Sequence, residues 1–180
     1  MDLVGLSKRL SYVLRHRPDS VGLTLDRNGW VAVDDLLAAL AAHGVRVGRA
    51  ELDTVLAGND KRRFAVEAGP DGRDRIRASQ GHSIPIDLGL TPVTPPPVLY
   101  HGTSAAAVPS IRAEGLRKAR RHHVHLSGDL STAQRVGARR RGPVEILTVD
   151  AAAMAADGHQ FYRSANGVWL TDHVPPRYLR

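Results

Sequence analysis

Apolar residues at the start of the chain recur every three or four positions, which is the spacing of one face of an α-helix. This pattern predicts an amphipathic helix over residues 3–16, built on Leu3, Leu6, Leu10, Val13 and Leu14. A second helix is expected at 35–43, capped by Asp34 and stopped by Gly44, and a third at 49–58.

Short apolar runs separated by turn residues predict strands in the rest of the first half. A hairpin is expected within 22–31, turning at Asn28-Gly29. After a turn at Asn59-Asp60, two more strands are expected at 64–67 and 75–78. Three small helices followed by a two-stranded wing describe a winged-helix module, which binds nucleic acid in many proteins and is purely structural in others.

A proline-rich segment separates the two halves of the chain. Four prolines fall within residues 92–97, and such a run is stiff and extended. We therefore place a linker at 91–97 between an N-terminal lobe of residues 1–90 and a C-terminal lobe of residues 98–180. The pattern indicates an α+β fold, whose second lobe has strands at 98–103, 123–127, 144–149 and 167–171 and helices at 105–114 and 131–137.

The net positive charge of the chain indicates what kind of partner it binds. The 180 residues carry a formal net charge of +7 and a pI near 10.5, which favours a polyanionic partner. Only three of the 25 basic residues are lysines, and arginine has a planar fork that holds phosphate with two hydrogen bonds. A genome rich in arginine codons accounts equally well for the arginine count, although not for the position of each arginine.

Other features of the composition exclude several classes of protein. The chain has no cysteine, which excludes disulfides, zinc–thiolate sites and a cysteine nucleophile. No apolar run approaches 18 residues, so no membrane span is expected. An acidic Asp2 stands where a signal peptide is basic. We therefore expect a cytoplasmic protein, and a monomer.

Three polar motifs of the first half are candidates for binding. Arg15-His16 stands at the end of the first helix, residues 60–64 form a basic turn, and residues 77–83 form a polar loop. Each has a purely structural interpretation as well. Cations at a helix C-terminus are favoured by the helix dipole, a charge run is often solvated, and the loop can be a plain turn.

Two histidines of the second half lie on neighbouring predicted strands. His101 precedes Gly102, whose lack of a side chain permits close approach of a ligand, and His125 precedes Leu126-Ser127. No third ligand with zinc-like spacing is present, so we expect ligand contact and no metal. Trp169 is expected in the core, because an aromatic residue on an apolar strand usually packs there.

Taken together, these motifs resemble one family. They occur in order as Leu6-Ser7-Lys8 through Leu14-Arg15-His16, Asn59-Asp60-Lys61 with Arg63-Phe64, Arg77-Ala78 with Gln80-Gly81-His82-Ser83, Tyr100-His101-Gly102-Thr103, His123-Val124-His125-Leu126-Ser127, and Asn166 through Thr171. The chain closely resembles the RNA 2'-phosphotransferases, enzymes of the tRNA-splicing type that use NAD. The resemblance extends over nearly the whole chain.

This resemblance implies both an architecture and a reaction. The family joins a winged-helix RNA lobe to an ADP-ribosyltransferase-like lobe that binds NAD. It transfers an internal RNA 2'-phosphate to NAD through an RNA-phospho-ADP-ribose intermediate. The products are RNA with a 2'-OH, ADP-ribose 1'',2''-cyclic phosphate and nicotinamide. The expected partners are thus NAD, consumed as a co-substrate, and RNA carrying a 2'-phosphate.

The resemblance also implies roles for particular residues. The catalytic set is Arg15, His16, Arg63 and Arg121, with Arg62 and Arg120 as neighbours that differ by one register. Contacts to NAD are assigned to His101, Gly102, Thr103, Ser127 and Asn166, and contacts to RNA to Gln80, His82 and Ser83. His16 either donates to a phosphate oxygen or protonates the departing 2'-oxygen.

Two other functions compete with this one. An ADP-ribosyltransferase that modifies nucleic-acid phosphate ends needs much the same residues, because a phosphate is also its acceptor. A winged-helix regulator with a degenerate NAD lobe would lack the phosphate-binding arginines, and all four residues of the catalytic set are present.

Overall fold

A computed structural model describes residues 2–58 and 62–180. The chain divides into two compact units, Met1–Gly89 and Leu90–Arg180. The predicted turn at Asn59-Asp60 lies outside the described residues. Among those that are described, no helix has both the length and the apolar character needed to cross a membrane.

Three helices and a three-stranded sheet form the first unit. The helices are α1 (Leu3–Arg15), α2 (Val33–Ala42) and α3 (Arg49–Ala57). Helix α1 confirms the predicted amphipathic helix, and the side chain of Asp2 caps it by accepting from the Gly5 N–H at 2.7 Å. Its apolar face is buried from Leu6 onward, whereas Leu3 at its start is exposed, and the buried part packs into a core that contains Leu10, Val13, Leu14, Leu36, Leu40 and Leu52.

The sheet of the first unit is antiparallel, with the strand order β1-β3-β2. Its strands are β1 (Val31–Ala32), β2 (Phe64–Ala68) and β3 (Asp74–Ala78). The predicted pair at 64–67 and 75–78 is therefore confirmed. The buried Ile76 pairs with Val31 on one side and with Val66 on the other, which joins the end of the 22–31 segment to the sheet.

The predicted hairpin within 22–31 is wrong, because residues 22–30 contain no strand. The Asp26 carboxylate accepts from the N–H groups of Asn28 (2.8 Å) and Trp30 (2.9 Å). This local turn satisfies the donors that a strand would use in a ladder. Helix α2 also begins earlier than predicted, so that Asp34 lies in its first turn and Ala32 is the cap.

Seven short strands and three helices form the second unit. The strands are β4 (Val98–Ser104), β5 (Leu116–Arg117), β6 (Val124–Leu126), β7 (Val144–Asp150), β8 (Phe161–Arg163), β9 (Trp169–Thr171) and β10 (His173–Val174). The helices are α4 (Val108–Glu114), α5 (Leu130–Gly137) and α6 (Ala151–Ala156). The predicted helix at 105–114 is a 3-10 turn followed by α4.

All strand pairs of the second unit are antiparallel. They form the sheets β4-β7, β6-β9-β8 and β5-β10. A bridge between Tyr100 and Ser127 connects β4 to the end of β6. The proline-rich segment is attached to this unit, since Val93 N–H donates to Phe161 O at 2.8 Å and Pro97 O accepts from Ala152 N–H at 3.0 Å.

Helix α5 packs directly onto β4 at Gly102. A Cβ added to Gly102 would lie 1.8 Å from Ala133 O and 2.9 Å from Gly137 N. Both are main-chain atoms of the helix, so no side-chain rotation relieves the overlap. Glycine is required at this position by packing.

We expect the Gly102→Ala substitution to lower the free energy of unfolding by about 3 kcal/mol, or to prevent folding, because the helix must move away from the strand. Gly128→Ala is the matched control, since its Cβ would lie 3.6 Å from Trp169 Nε1, an ordinary contact. Urea denaturation measures both. Equal unfolding midpoints for the two variants would contradict the packing argument.

Candidate functional site

The cationic end of α1 carries candidate residues of the first unit. Arg15 is the last residue of the helix and His16 is its C-cap, whose N–H donates to Tyr12 O at 3.0 Å. Both are partly buried. Because Val13 and Leu14 are fixed in the core, the two residues that follow them have a defined position on the surface of the first unit.

A loop distant in sequence is hydrogen-bonded to this helix end. The Ser83 N–H donates to Arg15 O at 2.9 Å, and Ser83 Oγ lies 2.9 Å from His16 Nδ1. The Ser83 hydroxyl therefore orients the His16 ring. A direct contact of Ser83 with RNA stays a prediction.

Arg63 lies beside the same helix. Its Nη1 donates to Ser7 Oγ on α1 over a long 3.4 Å. Ser79 holds the segment from the other side, because its N–H donates to Arg63 O and its hydroxyl to Arg62 O, both at 2.8 Å. Arg63 thus contacts α1 at Ser7. Arg15 and His16 lie at the C-terminal end of the same helix.

Arg62 and Arg63 have different environments. Arg62 is exposed and has a φ of 38°, in the left-handed region, whereas Arg63 is partly buried against α1. Both residues lie before the first residue of β2, so the alternation of side chains along that strand gives no reason to choose Arg63 over Arg62. The contact with Ser7 is what separates Arg63 from its neighbour.

The other two residues predicted to contact RNA differ in exposure. His82 is only 2% exposed and packs beside Gly29, where an added Cβ would lie 3.5 Å from its Nε2. Gln80 is partly exposed. Their roles in RNA binding stay predictions, and burial gives His82 a packing role.

In the second unit, the bridge between Tyr100 and Ser127 places His101 of β4 beside His125 of β6. Tyr100 and Ser127 exchange both main-chain hydrogen bonds, at 2.9 and 2.8 Å. His101 Nδ1 donates to His125 O at 3.2 Å. Burial lowers the pKa of His101, and the charges of Arg140 and Arg121 lower it further, against the opposing effect of that hydrogen bond. The ring is therefore neutral near pH 7, with Nε2 as its acceptor atom.

Arg121 is hydrogen-bonded to the side chain of His125, whose main-chain oxygen accepts from His101. Its Nη1 donates to His125 Nδ1 at 3.0 Å, so the His125 ring accepts at that atom and is neutral. Burial lowers the pKa of Arg121, and the nearby charges of Arg140 and Arg139 act in the same direction, although a guanidinium stays charged at any physiological pH. His125 thus links Arg121 to His101, a role that the sequence analysis did not assign.

Gly102 and Thr103 are both buried, and Thr103 is 1% exposed. The absence of a side chain at Gly102 is explained by the packing of α5 rather than by the approach of a ligand. Contacts of these two residues with NAD stay predictions.

Asn166 lies in a tight turn between β8 and β9. Ser164 Oγ lies 2.6 Å from Asn166 Oδ1 and donates to it, and the Ser164 N–H donates to Val168 O at 3.0 Å. Gly167 completes the turn with a φ of 78°. The predicted core position of Trp169 is confirmed, since it is 8% exposed.

The described residues contain no group of three or more histidine, aspartate or glutamate side chains able to hold a metal ion. The candidate residues of each unit supply guanidinium, imidazole, hydroxyl and amide groups. Such groups bind phosphates and sugar hydroxyls.

Comparison with known proteins connects this arrangement to a family. The model of the RNA 2'-phosphotransferase, Tpt1 / KptA family matches residues 2–173. A probable RNA 2'-phosphotransferase of Streptomyces coelicolor is 63% identical over 98% of this chain and 94% of its own length. One of Streptomyces griseus is 61% identical over 98% and 95%, and one of Trichormus variabilis is 52% identical over 98% and 94%.

The family match extends over both units, and it includes the candidate residues of each unit. The relatives match along almost their whole length and carry one name in common. This chain belongs to the RNA 2'-phosphotransferase family.

Proposed function

We propose that this protein transfers an internal RNA 2'-phosphate to NAD, giving RNA with a 2'-OH, ADP-ribose 1'',2''-cyclic phosphate and nicotinamide. The observation that carries this proposal is the hydrogen-bonded set formed by Arg121, His125 and His101. It joins a guanidinium, which suits a phosphate, to a neutral imidazole, which suits a sugar hydroxyl. A reaction between a phosphate and a nucleotide ribose needs both groups in one place.

The fold supports the same assignment. Three helices followed by the β2-β3 pair, with β1 added to β3, have the order of a winged-helix domain. We assign the first unit to that fold and to RNA binding. We assign the second unit, with its small antiparallel sheets bridged between Tyr100 and Ser127, to the ADP-ribosyltransferase-like fold.

The residues of the second unit fit NAD chemically. His101, Ser127 and Asn166 supply neutral donors and acceptors for ribose hydroxyls and the nicotinamide amide, and Arg121 supplies positive charge. When bound, NAD supplies an electrophilic ribose carbon and a nicotinamide leaving group. Burial keeps His101 neutral, which preserves Nε2 as a hydrogen-bond acceptor for a hydroxyl and avoids a further positive charge in a site that would hold a cationic nicotinamide group.

Arg15, Arg63 and Arg121 act on the 2'-phosphate in this proposal. Negative charge accumulates on the phosphate when a hydroxyl attacks it, and preoriented guanidinium groups stabilise that charge. Each charge-assisted hydrogen bond contributes roughly 1.5–3 kcal/mol. His16, oriented at Nδ1 by Ser83, serves as the proton donor to the phosphate or to the departing 2'-oxygen.

Incubation with an oligoribonucleotide carrying one internal 2'-phosphate tests the reaction. We expect the 2'-OH product, nicotinamide and the cyclic phosphate of ADP-ribose in equal amounts, and only when NAD is present. Mass spectrometry of RNA and nucleotide products measures all three. RNA that keeps its phosphate and gains ADP-ribose would show an ADP-ribosyltransferase instead, and RNA binding without turnover would favour a regulator.

Substitution of neighbouring arginines tests the site. We expect Arg63→Ala and Arg121→Ala to lower kcat by about a hundredfold or more, because each removes a group that stabilises the transition state. Arg62→Ala and Arg120→Ala are matched controls, since each is the neighbouring arginine in the sequence, and the hydrogen bonds of Arg63 with Ser7 and of Arg121 with His125 distinguish the tested residues. Circular dichroism verifies that all four variants are folded. Equal rates for a variant and its neighbouring control would overturn the assignment of that arginine.

A further inference from the structure

Three consecutive arginines form an exposed loop in the second unit. The arginine loop, residues 138–142, connects α5 to β7 and contains Arg139, Arg140 and Arg141, all of them exposed. None of the roles described above uses these residues.

Both ends of the arginine loop are fixed on β4. At its start, Gly137 packs so closely that an added Cβ would lie 3.2 Å from Thr103 N. At its end, Pro143 O accepts from the Ala105 N–H at 2.9 Å, and Val144 pairs with Ser104. The loop therefore lies at the Thr103–Ser104 end of β4, which also carries His101.

The charges of the loop extend to the candidate site. Arg139 and Arg140 lie close enough to Arg121 for their positive charges to lower its pKa, and Arg140 also lowers the pKa of His101. Arg121 donates to the neutral imidazole of His125, which does not offset its positive charge. The charges of Arg139 and Arg140 therefore act on the part of the second unit that carries Arg121.

Acidic side chains do not compensate this cluster. Other arginines of the same unit form ion pairs, namely Arg117 with Glu114, Arg177 with Asp157 and Arg180 with Asp150. Within residues 2–58 and 62–180, no ion pair includes Arg121 or an arginine of the loop. The C-terminus of α5 attracts cations, but the effect of a helix dipole is small and limited to the last turn.

We propose that the arginine loop binds phosphodiester groups of the RNA strand that flank the 2'-phosphate, an inference that rests on RNA being the substrate. The loop suits a strand better than a single diphosphate. Arg139 and Arg140 lie in a tight turn, with their N–H groups bonded to Val136 O and Gly137 O. Consecutive side chains of such a turn diverge, so their charges are spread over a surface and match phosphates spaced along a chain.

Binding of unphosphorylated RNA tests this proposal without requiring turnover. The loop variant is Arg139→Gln/Arg140→Gln/Arg141→Gln. The control is Arg112→Gln/Arg117→Gln/Arg177→Gln, which removes the same charge from exposed positions of the second unit outside the loop. Fluorescence anisotropy with a labelled single-stranded RNA of about 18 nucleotides measures affinity against salt concentration.

We expect the loop variant to bind this RNA about tenfold to a hundredfold more weakly at 0.1 M salt. The slope of log K against log salt should decrease in magnitude by about 2, since each phosphate contact on a single strand contributes about 0.7. The control variant should bind as the wild type does. Equal losses in the two variants would show a general charge effect and overturn the proposal.

Steady-state kinetics separates RNA from the other phosphate-bearing substrate. For a long 2'-phosphorylated RNA, KM should rise in the loop variant, whereas KM for NAD should not. A rise in KM for NAD with unchanged RNA affinity would assign the loop to the dinucleotide diphosphate and overturn the proposal. If the proposed transfer reaction itself is absent, the anisotropy experiment still decides whether the loop binds RNA.

Discussion

A concentration of positive charge is the constraint on which the proposed site of the second unit depends. The charges of Arg139 and Arg140 act on Arg121 and, together with burial, lower its pKa. The packing of α5 on Gly102 and the bridge from Tyr100 to Ser127 hold the surrounding main chain in place. The fold thus maintains a concentration of positive charge that a bound anion relieves, which is the basis of a phosphate-binding site.

Neutral histidines make this arrangement possible. His125 accepts from Arg121, and its main-chain carbonyl accepts from His101. Protonation of either ring would add another positive charge beside the arginines and would remove an acceptor. Burial and the neighbouring arginines both disfavour the charged form of His101, so the environment that collects the arginines proposed to bind phosphate also preserves the neutral ring proposed to contact a sugar hydroxyl.

The sequence predicted those features that depend on local pattern. The spacing of leucines along α1 located Arg15 and His16 at a helix end, and the paired strands after it followed from apolar runs around a turn. The hairpin within 22–31 was mispredicted because one carboxylate, that of Asp26, replaces a strand ladder. The two-residue strands β5 and β10 are too short to produce a period.

Contacts between distant residues were beyond sequence reasoning. Ser83 meets His16 across 67 positions, and nothing in either motif indicates which hydroxyl orients the ring. The reason for Gly102 is also a long-range one, since the atoms that exclude a side chain belong to α5. His125 was visible as part of a motif, but its hydrogen bonds with Arg121 and His101 became apparent only in the fold.

The central claim is that this protein recognises the 2'-phosphate of RNA through its arginines, and relative affinity tests it most directly. Calorimetry can compare one oligoribonucleotide with and without a single internal 2'-phosphate, in the absence of NAD. A phosphate monoester that gains charge-assisted hydrogen bonds should bind about tenfold or more tightly than its 2'-OH counterpart. Equal dissociation constants for the two RNAs would contradict the account.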